Sequence, residues 1–139
     1  VVGQIGAGWT VAKHVLDFER GGTAYAPRLQ AELDELRSFA ATVCAGGTNS
    51  LLDVPLFAAR LGAASIRASA LEVYELRVMS KLGKGEPAGP AASIMKVLGT
   101  ELHQQISEIA LEAAGHYGRA YQPQAARPGE WAAGAAWTA

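Results

Sequence analysis

The chain has 139 residues, of which half are apolar, and its 12 basic and 13 acidic side chains leave a formal net charge of −1. This length suits one domain with one core. A balanced charge gives no field that would steer the protein toward nucleic acid or an anionic membrane. Abundant alanine, with comparatively few β-branched and aromatic residues, favours closely packed helices over a sheet. We therefore predict an all-α fold.

Cysteine usage and the termini bear on the compartment. Cys44 is the single cysteine, so no internal disulfide can form, and a reducing, cytoplasmic location is the default expectation. No apolar run approaches the roughly 20 residues that span a bilayer, and the N-terminus lacks a signal-peptide pattern. The chain begins without methionine, in what reads as a strand end and loop over residues 1–8. This beginning indicates a piece of something longer.

The first predicted elements are a short helix and a long amphipathic one. The short helix runs from Trp9 to Leu16, because its apolar residues fall on one face. Beyond two glycines, apolar residues spaced by three and four predict the first long helix, with Pro27 either in its first turn or at a kink. Its predicted core stripe is Leu29, Leu33, Leu36, Ala40 and Val43.

The second long helix should run from about Val54 to Leu82. Asp53 supplies an N-cap and Pro55 an early-turn proline. At 1.5 Å per residue the helix would be roughly 40 Å long, which suits a bundle. Its predicted core stripe is Leu56, Ala59, Ala63, Ile66, Ala70 and Val73, widened later by Tyr74, Val78 and Leu82.

A turn rich in glycine and proline at 83–90 leads to the third long helix, predicted from about Ala91 to Ala114 with Gly115 as C-cap. Its predicted core positions are Ile94, Val97, Leu98, Leu102, Ile106, Ile109 and Ala113. Three long antiparallel helices with short links, preceded by a short helix, predict an up-and-down helical bundle. Residues 122–139 show no clear period, and we predict an irregular tail there.

Most charged side chains of the long helices indicate a solvated surface. Basic residues look at first like a stripe, but carboxylates interrupt them, which favours a water-facing helix side. The basic residues are Arg60, Arg67, Arg77, Lys81, Lys84 and Lys96, and the interrupting acids are Glu72, Glu75 and Glu86. The acids of the third long helix, Glu101, Glu108 and Glu112, receive the same interpretation.

Metal and hydrolase chemistry find little support. No pair among His14, His103 and His116 has the i, i+4 spacing of a helical metal site, and one cysteine is too few for a zinc cage. We predict no metal. A Ser-His-Asp arrangement stays open, but no G-x-S-x-G nucleophile elbow occurs.

The segment VLDFERGG, residues 15–22, leaves two interpretations open. In the structural one, Asp17 is an N-cap, Glu19 lies in the first helical turn where the macrodipole favours it, and Arg20 pairs with either acid. In the other, the three side chains carry chemistry. The surrounding pattern bears on the choice.

Two stretches, GAGWTVAKHVLDFERGG and ASIMKVLGTELHQQISEIALEAAGHYG, together resemble the C-terminal part of the acyl-CoA dehydrogenase family. In that family a strand of the middle β-domain leads into a G-x-G-W/F loop, a short helix and an L-x-x-E/T-R segment. A later helix reads K-x-x-x-x-E followed by A-x-x-x-x-G-x-x-G. The matching residues of that helix are Lys96, Glu101, Ala110, Gly115 and Gly118. The likeness covers Val1 to about Tyr121 and implies a β-domain end at 1–8 and a helical-bundle domain at 9–121.

The resemblance implies an FAD-dependent enzyme that oxidises an acyl-CoA thioester to the trans-2-enoyl-CoA, with an electron-transfer partner and a homo- or hetero-oligomer formed through the bundle. In such enzymes a glutamate removes the α-proton while the β-hydrogen leaves as hydride to the flavin. Some branches carry this base in the E-R pair, which implies Glu19. Others carry it on a loop like Y-E-G-T, which this chain lacks. The D-x-x-R pattern implies substrate contacts by Asp17 and Arg20.

The family's Q-x-x-G-G contact to the adenine end of FAD falls on EAAGH, which implies cofactor contacts by Glu112, Gly115 and His116. A carboxylate replaces the glutamine here, and a carboxylate near a pyrophosphate is repelled. The family's R-x-x-F-G stretch is also absent, since the corresponding region reads FAATVCAGGTNS. We expect the isolated fragment to have little or no activity. The alternative is a non-catalytic bundle that serves oligomerisation or interaction.

Overall fold

The computed structural model describes residues 3–21, 24–44 and 50–119, apart from the side chains at 17–20, 117 and 119. Within these ranges the chain is helical, and its only pairing of extended backbone is an isolated bridge between Cys44 and Ser50. The α-helices are α1 (Gly8–Gly21), α2 (Ala26–Thr42), α3 (Pro55–Gly83) and α4 (Pro90–Ala114), with 3₁₀ turns at Leu51–Asp53 and Gly115–Arg119. The predicted all-α class is confirmed.

Helices α2, α3 and α4 pack against one another in an up-down-up arrangement, and α1 contacts α4. Polar pairs between neighbouring helices give the directions. Gln30 with Glu72 and Arg37 with Ser65 make α2 and α3 antiparallel. Arg60 with Glu112 and Arg67 with Gln105 do the same for α3 and α4. The three long helices therefore form an up-and-down bundle.

Helix α2 follows the prediction closely. Pro27 lies in its first turn, where a missing N–H costs no intrahelical hydrogen bond. Leu29, Leu33, Leu36 and Ala40 are all buried, as their spacing predicted. The buried stripe ends at Ala40 instead of the predicted Val43, because Val43 is the C-cap of the helix and its backbone is extended. The prediction succeeds because α2 carries charges on one side and leucines on the other, so only the leucine side can be buried.

Helix α3 has the predicted length, but its predicted N-cap is wrong. Asp53 closes the preceding 3₁₀ turn, where its carboxylate accepts hydrogen bonds from the backbone N–H of Ser50 at 2.9 Å and from the Ser50 hydroxyl at 3.0 Å. Val54 is the N-cap and gives no side-chain hydrogen bond, while Pro55 opens the helix. The aspartate caps the turn that leads into α3, not α3 itself.

The predicted core stripe of α3 from Leu56 to Val73 is also wrong, although Val78 beyond it is buried as predicted and Leu82 is exposed. Leu56, Ile66 and Val73 are 69%, 73% and 51% exposed, and the three alanines of that stripe are exposed as well. The buried stripe is Phe57, Leu61, Ala64, Ala68, Leu71, Glu75 and Val78. Both sides of α3 are apolar, so spacing alone fits either. The polar side chains that reach α2 on one side and α4 on the other bracket the buried stripe and decide between them.

Helix α4 starts and ends as predicted, and Gly115 is its C-cap with a φ of 56°. The predicted core positions from Leu102 onward are buried. Those of the first turns are wrong, because Ile94, Val97 and Leu98 are exposed while Met95 and Gly99 face the core. The list of buried positions in this helix is Ala92, Met95, Gly99, Leu102, Ile106, Ile109, Ala110, Ala113 and Ala114.

A close approach of Tyr25 to Gly99 explains the orientation of α4. A Cβ added at Gly99 would lie 2.4 Å from Cγ of the Tyr25 ring and 2.9 Å from its Cβ. The tyrosine precedes α2 and lies against the α4 backbone, which only a residue without a side chain permits. Glycine at 99 therefore brings the start of α2 onto α4.

Replacing Gly99 with alanine should destabilise the bundle, although alanine is the better helix former. The added methyl group has to displace a tyrosine at its stem rather than at a flexible tip, and such overpacking costs about 1–3 kcal/mol in the free energy of unfolding. Urea denaturation followed by circular dichroism measures the change. The matched control is Gly62→Ala in α3, where an added Cβ meets nothing within 4 Å. That variant should gain about 0.5–1 kcal/mol. Equal effects of the two changes would contradict the packing argument.

Candidate functional site

Asp17, Glu19 and Arg20 lie inside α1, which continues to Gly21. The interpretation of Asp17 as an N-cap is therefore wrong, since these residues fall in the last turns of a helix and not in its first. A carboxylate near the C-terminal end of a helix gains nothing from the macrodipole, which favours cations there. Their side chains are outside the described part of the structure, so the catalytic and substrate roles stay predictions.

The residues predicted to contact the cofactor lie together at the C-terminal end of α4. Glu112, Gly115 and His116, together with Leu111, line an open depression of about 430 Å³. It lies where α4 ends and the final 3₁₀ turn begins. The grouping follows from local geometry, because residues three and four apart on a helix share a face.

Gly115 shapes the floor of this depression. Its φ of 56° is a conformation that favours glycine, and its N–H closes the helix by donating to the carbonyls of Leu111 and Glu112. A Cβ added there would meet nothing within 4 Å. The glycine is needed for the turn of the backbone, while the space beside it stays open to a ligand.

The Glu112 carboxylate is paired with the guanidinium of Arg60, which α3 brings alongside the end of α4. The two side chains are 40% and 39% exposed. The sequence assigned Arg60 to a solvated face, and its pairing with Glu112 was missed. The antiparallel register of α3 and α4 is the signal that could have found this pair. Two turns from Arg60, Arg67 of α3 donates to Gln105 of α4 in the same register.

The depression combines an apolar wall with polar groups at its edge. Leu111 gives an apolar wall, and exposed His116 gives a polar edge. A guanidinium has five N–H donors, and among the described residues Arg60 gives a hydrogen bond to Glu112 alone. Because this pairing offsets the carboxylate, the charge that would repel a phosphate is largely cancelled.

Other candidate groups stay separate from the depression. His103 lies on α4 with Nε2 3.6 Å from Oε2 of Glu32, and the other oxygen of that carboxylate, Oε1, accepts a hydrogen bond from Nε of Arg28 at 2.8 Å. Over the described ranges, no three His, Cys, Asp or Glu side chains are grouped so that they could hold a metal ion. None of the helices in those ranges is long and apolar enough to cross a bilayer.

Glu75 is a further residue that the sequence misplaced. Predicted on a solvated face, it is only 3% exposed. Its carboxylate accepts hydrogen bonds from the backbone N–H of Tyr25 at 2.7 Å and of Ala26 at 3.2 Å. The first N–H groups of a helix lack intrahelical partners. Glu75 of α3 supplies the missing acceptor for α2 and thereby fixes the start of that helix.

The fold and the depression define a helical-bundle domain with a ligand-sized hollow at the C-terminal end of its last long helix. Residues 6–135 match the family described as "Acyl-CoA dehydrogenase, C-terminal domain". The match covers most of the chain, which therefore belongs to the acyl-CoA dehydrogenase family, as its motifs predicted. Comparisons with curated proteins and with solved structures gave no significant match.

Removing the Glu75 carboxylate should destabilise the fold far more than removing an exposed one. Glu75→Ala leaves the N–H groups at the start of α2 without an acceptor in a buried place, which costs about 1.5–3 kcal/mol. Glu75→Gln keeps one acceptor oxygen and should lose less. Chemical denaturation gives the free energies of unfolding. Glu72→Ala is the control, because this exposed residue pairs with Gln30 at the surface, and its effect should stay within about 0.5 kcal/mol. Similar losses at both positions would contradict the anchoring role.

Proposed function

We propose that this chain is the C-terminal helical-bundle domain of a longer, FAD-dependent acyl-CoA dehydrogenase that oxidises an acyl-CoA thioester to the trans-2-enoyl-CoA. Family membership supports the general class. The observation that carries the cofactor assignment is the depression at the end of α4, lined by the three residues implied for FAD. In this proposal residues 1–8 end the β-domain, 9–121 form the bundle and 122–139 are a tail.

The residues at the end of α1 supply the proton chemistry. Glu19 is the base that removes the α-proton of the thioester, and Asp17 and Arg20 bind the substrate. The macrodipole does not favour two carboxylates in the last turns of α1, which supports a functional role for them beside any local pairing with Arg20. When bound, FAD supplies the hydride acceptor for the β-hydrogen.

The cofactor residues hold the adenine end of FAD. Leu111 offers an apolar surface to the ring, Gly115 leaves room beside the backbone, and His116 offers a polar atom at the rim. Glu112 is tolerated there because Arg60 neutralises it. In this proposal an electron-transfer partner reoxidises the flavin. The single cysteine, Cys44, suits a reducing compartment, which supports a cytoplasmic location.

A second candidate function is oligomerisation, and the outward side of α3 favours it. We define the α3 outer face as the exposed apolar positions on the side away from α2 and α4. They are Leu56, Ala59, Ala63, Ile66, Ala70 and Val73. Small residues on such a face let another helix approach closely, and homo-oligomers commonly use one face twice. This role suits a non-catalytic bundle as well as an oligomeric enzyme.

Glu19→Gln in the full-length protein tests the catalytic assignment. The amide keeps the shape of the side chain but cannot accept the α-proton, so the rate of flavin reduction by acyl-CoA should fall at least about 100-fold. Stopped-flow absorbance of the flavin band measures it. Glu101→Gln, an exposed change on α4, is the control and should reduce at the parent rate. Undiminished reduction in Glu19→Gln would place the base elsewhere, for example on a loop outside this chain.

Ile66→Glu tests the α3 outer face. A charge in the middle of an apolar contact is costly to bury, so the variant should shift the protein toward smaller species by about tenfold or more in dissociation constant. Sedimentation velocity at several concentrations measures this. Since Ile66 is 73% exposed in the single chain, the helix content should not change. Gln104→Glu adds the same charge at an exposed position of α4. Equal behaviour of both variants would exclude this face as an interface.

A further inference from the structure

We propose that Arg60 is a positioning residue for the cofactor, because its ion pair with Glu112 cancels a negative charge at the rim of the depression and lets an anionic dinucleotide lie against the end of α4. This inference rests on the proposed function, in which that dinucleotide is FAD. Arg60 acts through Glu112, and it belongs to neither of the segments that carry the family resemblance.

The position of Glu112 makes such a cation necessary. The residue lies in the last turn of α4, where the unpaired carbonyls already form the negative pole of the helix. A bare carboxylate there would add to that pole at the mouth of the depression it lines. Among the described residues, the cation paired with this carboxylate is Arg60. With the pair formed, the rim is close to neutral.

A purely mechanical role for Arg60 is the alternative, since the pair also ties α3 to α4. The structure contains an internal comparison. Arg67 makes the corresponding contact two turns along, but its partner Gln105 is neutral, so this contact joins the same two helices without cancelling any charge. If joining helices were the function of Arg60, replacing Arg67 would have the same consequences.

The test measures FAD affinity of the full-length apoprotein by flavin fluorescence, at low and at high ionic strength. At low salt Arg60→Gln should weaken binding by up to about tenfold, because it leaves the Glu112 carboxylate uncompensated beside the bound anion. Glu112→Gln leaves the guanidinium uncompensated and should tighten binding by a similar factor, whereas the double variant Arg60→Gln/Glu112→Gln, in which neither charge remains, should stay within about twofold of the parent. Arg60→Lys keeps the charge and should retain most of the affinity. Arg67→Gln is the matched control and should bind like the parent.

High salt separates charge from mechanics. Mobile ions screen exposed charges within about 5 Å at 0.5 M salt, so the loss in Arg60→Gln should shrink several-fold there. Thermal unfolding of each apoprotein confirms that the variants fold.

Three results would overturn the inference while leaving the enzyme assignment intact. They are a double variant as weak as Arg60→Gln, an equal loss in Arg67→Gln, or full affinity in Arg60→Gln. A parent protein that binds no FAD would instead refute the proposed function and this inference with it.

Discussion

One buried carboxylate holds the bundle together at the point where its helices meet. An ionised side chain inside a protein is tolerated only when hydrogen bonds replace the water it has lost. Glu75 finds them in the backbone N–H groups of Tyr25 and Ala26. Those groups need an acceptor equally, because they lie at the start of α2. Each side satisfies the other, and the positive end of the α2 macrodipole favours the charge.

The same junction sets the contact between α2 and α4. With its N–H held by Glu75, Tyr25 is placed so that its ring covers Gly99, where no side chain intervenes. The start of α2 is thereby fixed to the last third of α3 and to the first half of α4. Core residues beyond this point then follow at the spacing of three and four, as in α2, where Leu29, Leu33 and Leu36 are buried in turn.

Local signals in the sequence were enough for the bounds of the three long helices, but not for the end of α1 or for every helix face. Pro55 and Gly115 mark a beginning and an end wherever they occur, because proline lacks an N–H and glycine accepts a positive φ. The inward face of α3 depends instead on partners 28 to 52 residues away, such as Ser65 with Arg37 and Arg60 with Glu112. An alanine-rich helix is apolar on both sides, so its own spacing cannot choose between them. Glu75 is the extreme case. Its carboxylate accepts hydrogen bonds from backbone N–H groups, and these carry no sequence signal.

Some residues of the candidate site could likewise be predicted from the sequence, and others could not. The family resemblance implied Glu112, Gly115 and His116, and these residues lie together because residues three and four apart at a helix end share a face. Arg60 could not be predicted, because only the packing of α3 on α4 brings it there. The interpretation of Asp17 as an N-cap used residue preference alone, and it fails because α1 runs on to Gly21.

Helix α3 connects the two proposed roles. Arg60 lies between Ala59 and Ala63 of the α3 outer face and the end of α4, so a partner packed on that face would border the ion pair with Glu112. Both side chains are about 40% exposed in the single chain. Ions removed from water interact more strongly across a short distance. Association through α3 would therefore strengthen the pair that neutralises the depression, and by reciprocity cofactor binding would favour association. In the proposed enzyme, assembly and cofactor binding would then be coupled through this one ion pair.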